Sequence, residues 1–155
     1  MKTTKAYKKH LLKKGKRPKS FSKFIKKNEL KNKLNFKNFE EIEREIFREF
    51  SRKIAFEIDQ IENYSAREKT LSFFYNMNQE LYSNIKLIQI INNDLKSKLI
   101  LLYFQKEFSI WMKNTIDFAI ENEEIASRPF LSEKYIYLFN LLMAYILKIH
   151  QKNDT

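Results

Sequence analysis

Phe39, Ile42, Ile46, Phe50, Ile54, Ile58 and Ile61 recur at steps of three and four residues. At 3.6 residues per turn this spacing puts all seven on one side, the pattern of an amphipathic helix with a buried stripe. Such a helix gains most of its stability from packing, so the rest of the chain must supply matching apolar faces. The spacing predicts a helix from Asn38 to about Asn63. Asn38 with Glu41 forms an N-cap pair close to a capping box, and Phe36 precedes it as a hydrophobic staple. Glu40, Arg44 and Arg48 fall on the opposite face, and Glu49 and Lys53 are spaced for an i, i+4 ion pair.

The remaining chain offers helices as partners. Its 155 residues include one Gly and two Pro, and no alternating run bounded by turn signals. The fold class expected is therefore all-α. Thr3 or Thr4 can cap a first helix to about Lys14, with Tyr7 and Leu11 inward and Lys5, Lys8, Lys9 and Lys13 in water. Gly15 ends it in the left-handed conformation. Pro18 suits the first turn of a short second helix, about Lys19 to Lys27, that buries Phe21, Phe24 and Ile25. Glu29 to Leu34 makes a turn or two, with Leu30 and Leu34 as its apolar contacts.

Beyond the long helix, Ser65 and Glu68 form a capping box for a helix carrying Leu71, Phe74, Met77, Leu81 and Ile85, broken near Ser83-Asn84. Ile85 to Ile91 leads to a stop at Asn92-Asn93-Asp94. A segment from Asp94 to about Glu121 follows, roughly 40 Å long if unbroken. Asn122 takes the left-handed cap. Ser132 caps a last helix whose Tyr135, Leu138, Leu142, Tyr145, Ile146 and Ile149 make a wide apolar surface.

Charge divides this helical chain in two. Residues 1–37 hold 14 Lys and Arg17 against one acid, Glu29, whereas residues 38–155 hold 15 basic and 18 acidic residues. The boundary at Lys37/Asn38 separates a basic head, 1–37, from a helical body, 38–155. A basic face confined to one quarter of the chain points to a polyanion: DNA, RNA or anionic lipid headgroups. The alternative is a solvated lysine face.

Other chemistries find no residues. There is no Cys, hence no disulfide framework and no thiolate metal site. His10 and His150 stand near opposite ends with no H-x-x-x-H, so no metal ligand set and no cofactor are expected. No Gly-rich loop or nucleophile elbow is present, and a non-enzyme is expected. The residues before position 20 are Lys-rich with no apolar leader core, and Asn140 and Lys148 interrupt the apolar run from Tyr135 to Ile149. That run falls short of the ~20 residues a membrane span needs, so a cytoplasmic protein with no membrane span is expected.

The order of elements resembles the TetR family of one-component regulators. The likeness is carried by Gly15 after the first helix, Lys19-Ser20 opening the second, and Phe24-Ile25-Lys26-Lys27 at the family's "IA" pair. Phe36-Lys37-Asn38-Phe39-Glu40-Glu41-Ile42 is similar to the family's lead-in to its fourth helix. Tyr64-Ser65-Ala66-Arg67-Glu68-Lys69 and the run from Ala119 to Ser132 are similar to bacteroidete TetR-like proteins. The segment between Leu30 and Phe36 and the C-terminus are both shorter than the family pattern. The resemblance implies an N-terminal three-helix helix-turn-helix head that binds DNA, and a body that binds a ligand and dimerises.

On that reading Arg17, Lys19, Ser20, Lys23, Lys27 and Lys37 belong to the DNA-binding surface, with the first residues of the set gripping phosphates. Lys31, Asn32, Lys33 and Asn35 face the major groove, Asn being suited to adenine and Lys to guanine. N–H groups opening the second helix add anion contacts. In the body, Phe74, Met77, Tyr103, Phe104, Phe108, Trp111, Met112 and Tyr145 either line an apolar ligand cavity or simply fill the core. The Tyr135–Ile149 face either makes a homodimer seam or closes the monomer. Two functions follow: a TetR-like regulator sensing an apolar ligand, or a TetR-fold protein that no longer reads DNA and binds a lipid or isoprenoid or serves an enzyme as accessory.

Overall fold

Asn38 begins the helix on which the others are arranged. In the computed structural model of the protein, which describes residues 2–28, 36–94, 98–128 and 130–152, its side chain accepts the Glu41 N–H at 2.9 Å. Glu41 returns its carboxylate to the N–H of Lys37 at 2.7 Å, one residue earlier than a true capping box would. Seven helices and no strand are present among the described residues: α1 (Lys2–Lys14), α2 (Phe21–Lys27), α3 (Phe39–Asp59), α4 (Ala66–Ser83), α5 (Ile85–Asp94), α6 (Lys98–Glu121) and α7 (Leu131–Lys152). The chain is all-helical there, as its punctuation predicts.

α3 is the central rod, packing on α1, α4 and α6, while α6 also packs on α4 and α7 and α1 also meets α5. Ile42, Ile46, Phe50, Ile54 and Ile58 are buried along it, as their spacing requires. The helix stops at Asp59, four residues short of Asn63, and leaves Ile61 outside the stripe and 40% exposed. Tyr7, Leu11, Phe24 and Phe36 join the same apolar cluster as α3, Phe73 of α4 and Phe108 of α6. One continuous core therefore runs through head and body.

Several local expectations are corrected by tertiary contacts. Thr3 and Thr4 are buried inside α1 rather than capping it, and the Thr4 hydroxyl donates to Glu49 at 2.8 Å. Lys8 is drawn out of water to Glu49 at 3.6 Å, with its ammonium 4.7 Å from the Phe50 ring centroid. Glu49 thus faces α1, and Lys53 pairs with Glu80 of α4 at 2.8 Å instead. Pro18 lies in the turn before α2, which starts at Phe21 with Ser20 as its N-cap. Glu29 to Leu34 lie outside the described residues.

The Ser65–Glu68 capping box is present, and the α4–α5 break falls at Asn84. Within α4 Met77 and Leu81 are buried as their spacing predicts, but in the first half of the helix Phe73 rather than Phe74 is fully buried and Leu71 is 60% exposed. At the end of α6 the left-handed residue is Glu123, φ 59°, not Asn122. Its N–H donates to the Ile120 carbonyl at 3.1 Å and that of Glu124 to Ala119 at 2.8 Å, a Schellman closure. α7 begins at Leu131, so Ser132 sits inside it. Met143 is buried, while Leu138, Leu141, Leu142 and Tyr145 stand in water.

Candidate polyanion-binding groove

α1 carries two faces with different work. Thr4, Tyr7 and Leu11 turn toward α3 and the core; Lys9 and Lys13 point away from them, and His10 and Lys14 flank them on the side of the groove. Gly15 then adopts φ +66°, with its N–H donating to the Leu11 carbonyl at 2.7 Å. A Cβ there would meet nothing in space, so the requirement for glycine is the dihedral itself. The turn brings Lys19, Ser20, Lys23 and Lys27 across from α1.

The result is a groove of about 760 Å³ between α1 and α2. Six lysines line it: Lys9, Lys13, Lys14, Lys19, Lys23 and Lys27, with no acidic side chain among the lining residues. None of the six makes an ion pair among the described residues, although Lys8 on the neighbouring face does. Phe24, nearly buried, holds the two walls together. Its ring meets Tyr7 at 5.7 Å, His10 at 5.8 Å and Phe39 at 5.8 Å, each edge-on or steeply inclined. Burial, then Lys14 and Lys27, hold the His10 imidazole below its ordinary value of 6.5.

Of the residues expected on DNA, Lys19, Ser20, Lys23 and Lys27 are brought together here. Arg17 is not part of the lining. Its guanidinium binds the buried carboxylate of Glu43 with two hydrogen bonds, one at 2.8 Å from Nε, and the Tyr7 hydroxyl donates to the same carboxylate at 2.6 Å. Burial first, and then the hydrogen bond and the charge of Glu43, push the Tyr7 phenol far above its ordinary range. Lys37 is exposed beside α3, apart from the lining. Lys31, Asn32, Lys33 and Asn35 lie outside the described residues. Four titratable lining residues were not among those expected: Lys9, His10, Lys13 and Lys14. Their 9/13 and 10/14 spacing, which sets each pair one turn apart on α1, is the signal that marks them.

A second concavity, of about 400 Å³, opens between α4, α6 and the start of α7. Its wall is largely apolar, with Met112, Ile116 and Ala119 of α6, Ile125, and Phe139 of α7. The Glu124 carboxylate closes one end by accepting the Ala66 N–H, at 2.8 Å from Oε2. Of the aromatic and Met set expected to line a cavity, Met112 does so. Met77, Phe104, Phe108 and Trp111 are packed in the core, and Phe74 is half-buried against Phe108 and Phe139. Tyr145 is 63% exposed, and the Tyr103 side chain lies outside the described residues.

Among the described residues no helix is long and apolar enough to cross a membrane. Comparison with protein-family models, with curated proteins and with solved structures finds no match to this chain.

Proposed function

We propose that this chain is a TetR-like DNA-binding regulator whose α1–α2 head holds nucleic-acid phosphates in the lysine groove. The observation that supports this reading is the gathering on one concave surface of six lysines that make no ion pair among the described residues. On α3, by contrast, Arg44, Arg52 and Lys53 are matched with Glu40, Glu107 and Glu80. Like charges this close repel each other, and a polyanion turns that repulsion into attraction. Such contacts fix position without reading sequence. Base reading falls to Lys31, Asn32, Lys33 and Asn35, which follow α2 directly in the chain.

The test is fluorescence anisotropy with a labelled mixed-sequence duplex at two salt concentrations. About six phosphate contacts would make affinity fall roughly a thousandfold between 50 and 200 mM salt. Lys13→Glu/Lys23→Glu/Lys27→Glu, all exposed positions, is expected to weaken binding at least about a hundredfold at the lower salt and to flatten the slope by about three contacts. Equal binding by this variant, or a salt-insensitive wild type, would remove the reading.

A TetR-fold protein that carries a lipid or isoprenoid and does not read DNA is the second reading, favoured by the α4–α6–α7 cavity. Its volume lies within the range of small-molecule sites, about 300–1,000 Å³. A saturating apolar ligand, tested with dodecanoic acid and farnesol, is expected to raise the thermal midpoint. Ala119→Leu, which fills the wall, is expected to abolish the rise. An unchanged midpoint with both probes, or a rise of the same size in the variant, counts against this reading.

A further inference from the structure

The lysine groove contains one side chain whose charge changes near neutral pH, and that is His10. We infer that His10 is a proton-accepting ligand of the groove: neutral when the groove is unfilled, it takes up one proton when phosphate oxygens enter. The inference rests on the polyanion reading of the groove and adds to it a residue and a dependence on pH.

Placement carries the argument. Lys9, Lys13 and Lys14 share the imidazole's helix, Lys19 faces it from the turn, and Lys23 and Lys27 face it from α2. The acids packed on α1, Glu43 and Glu49, are not among the lining residues and are engaged by Tyr7, Arg17, Thr4 and Lys8. Among the described residues no carboxylate lines the groove to stabilise an imidazolium, and the ring meets Phe24 at 5.8 Å. Burial and the surrounding lysines favour the neutral ring, consistent with a proton affinity lowered by burial and then by Lys14 and Lys27. Phosphodiester oxygens entering the groove reverse the sign of the local field. They neutralise the same lysines and offer the ring an acceptor for a charged N–H donor.

The sign of the linkage follows. The complex holds more protons than the separate partners between the unbound and bound His10 values, so affinity rises as pH falls through that window. It levels off on either side, and one linked proton limits the change to about tenfold per pH unit.

The experiment measures binding of a labelled mixed-sequence duplex at fixed ionic strength, at about pH 5.5 and about pH 7.5, either side of the ordinary histidine value. Wild type is expected to bind roughly three- to tenfold tighter at the lower pH. Calorimetry in two buffers of different ionisation enthalpy is expected to count about one proton taken up. His10→Gln should bind with no pH dependence over this range. His10→Lys, with a permanent charge, should be equally flat and at pH 7.5 at least as tight as wild type. Salt-dependent binding whose pH profile is the same in wild type and His10→Gln overturns the role of His10 and leaves the groove reading standing. Absence of binding at both pH values removes the groove reading and this inference together.

Discussion

Replacing Arg17 with methionine is expected to lower stability by about 3 kcal/mol, the lower end of the cost of breaking a buried ion pair. Glu43 is the reason. Its side chain is wholly buried, while that of Arg17 keeps 27% of its surface in water. Removing the guanidinium leaves a carboxylate with no opposite charge among its known partners and only the Tyr7 hydroxyl at 2.6 Å to bind it. Arg17→Lys should recover part of the loss but not all, because an ammonium cannot reproduce the two-pronged fit. Urea unfolding monitored at Trp111 would measure both changes. If Arg17 served only to touch phosphate, its removal would fall within about 0.5 kcal/mol of zero, as at most surface sites.

A larger loss, about 3–5 kcal/mol, is expected from Phe73→Ala. Phe73 has no exposed surface and is ringed by aromatic side chains, stacked on Trp111 at 4.7 Å and tilted to Phe108 at 4.9 Å. Truncation removes the apolar area and the ring contacts together, and opens a cavity walled by side chains of α4 and α6 that cannot readily close. Phe73→Leu should cost distinctly less because it keeps most of the volume. Leu71→Ala, at a 60% exposed position two residues away, should change stability by no more than about 0.5 kcal/mol. Comparable losses at Leu71 and Phe73 would contradict the register of α4 described here. Chemical denaturation of the three variants decides it.

That register shows where a sequence reading stops. Caps are local, so Asn38 with Glu41, Ser65 with Glu68 and the left-handed Gly15 could be read from neighbours in the chain. The α3 stripe was equally legible, because isoleucine and phenylalanine recur there against a charged background. In α4 apolar side chains are adjacent, Phe73 beside Phe74, so periodicity allows either to face inward. α6 decides between them by presenting Phe108 and Trp111. Glu43 and Glu45 lie in a run of charge, and their burial depends on partners 26 and 7 positions away, Arg17 and Arg52. No local pattern encodes that. The groove was half legible: α2 lysines stood beside the turn, whereas those of α1 were read as solvated because nothing local said that α2 would fold across them.

The sharing of one apolar cluster by Tyr7, Leu11 and Phe24 with α3 has a bearing on how the molecule comes apart. Cut after Lys37, the leading segment would present those rings and that leucine to solvent and lose the Glu43 carboxylate that anchors its turn. Heating should accordingly melt the lysine-bearing part and α3 in a single cooperative step, with no stage at which the cationic front end survives by itself.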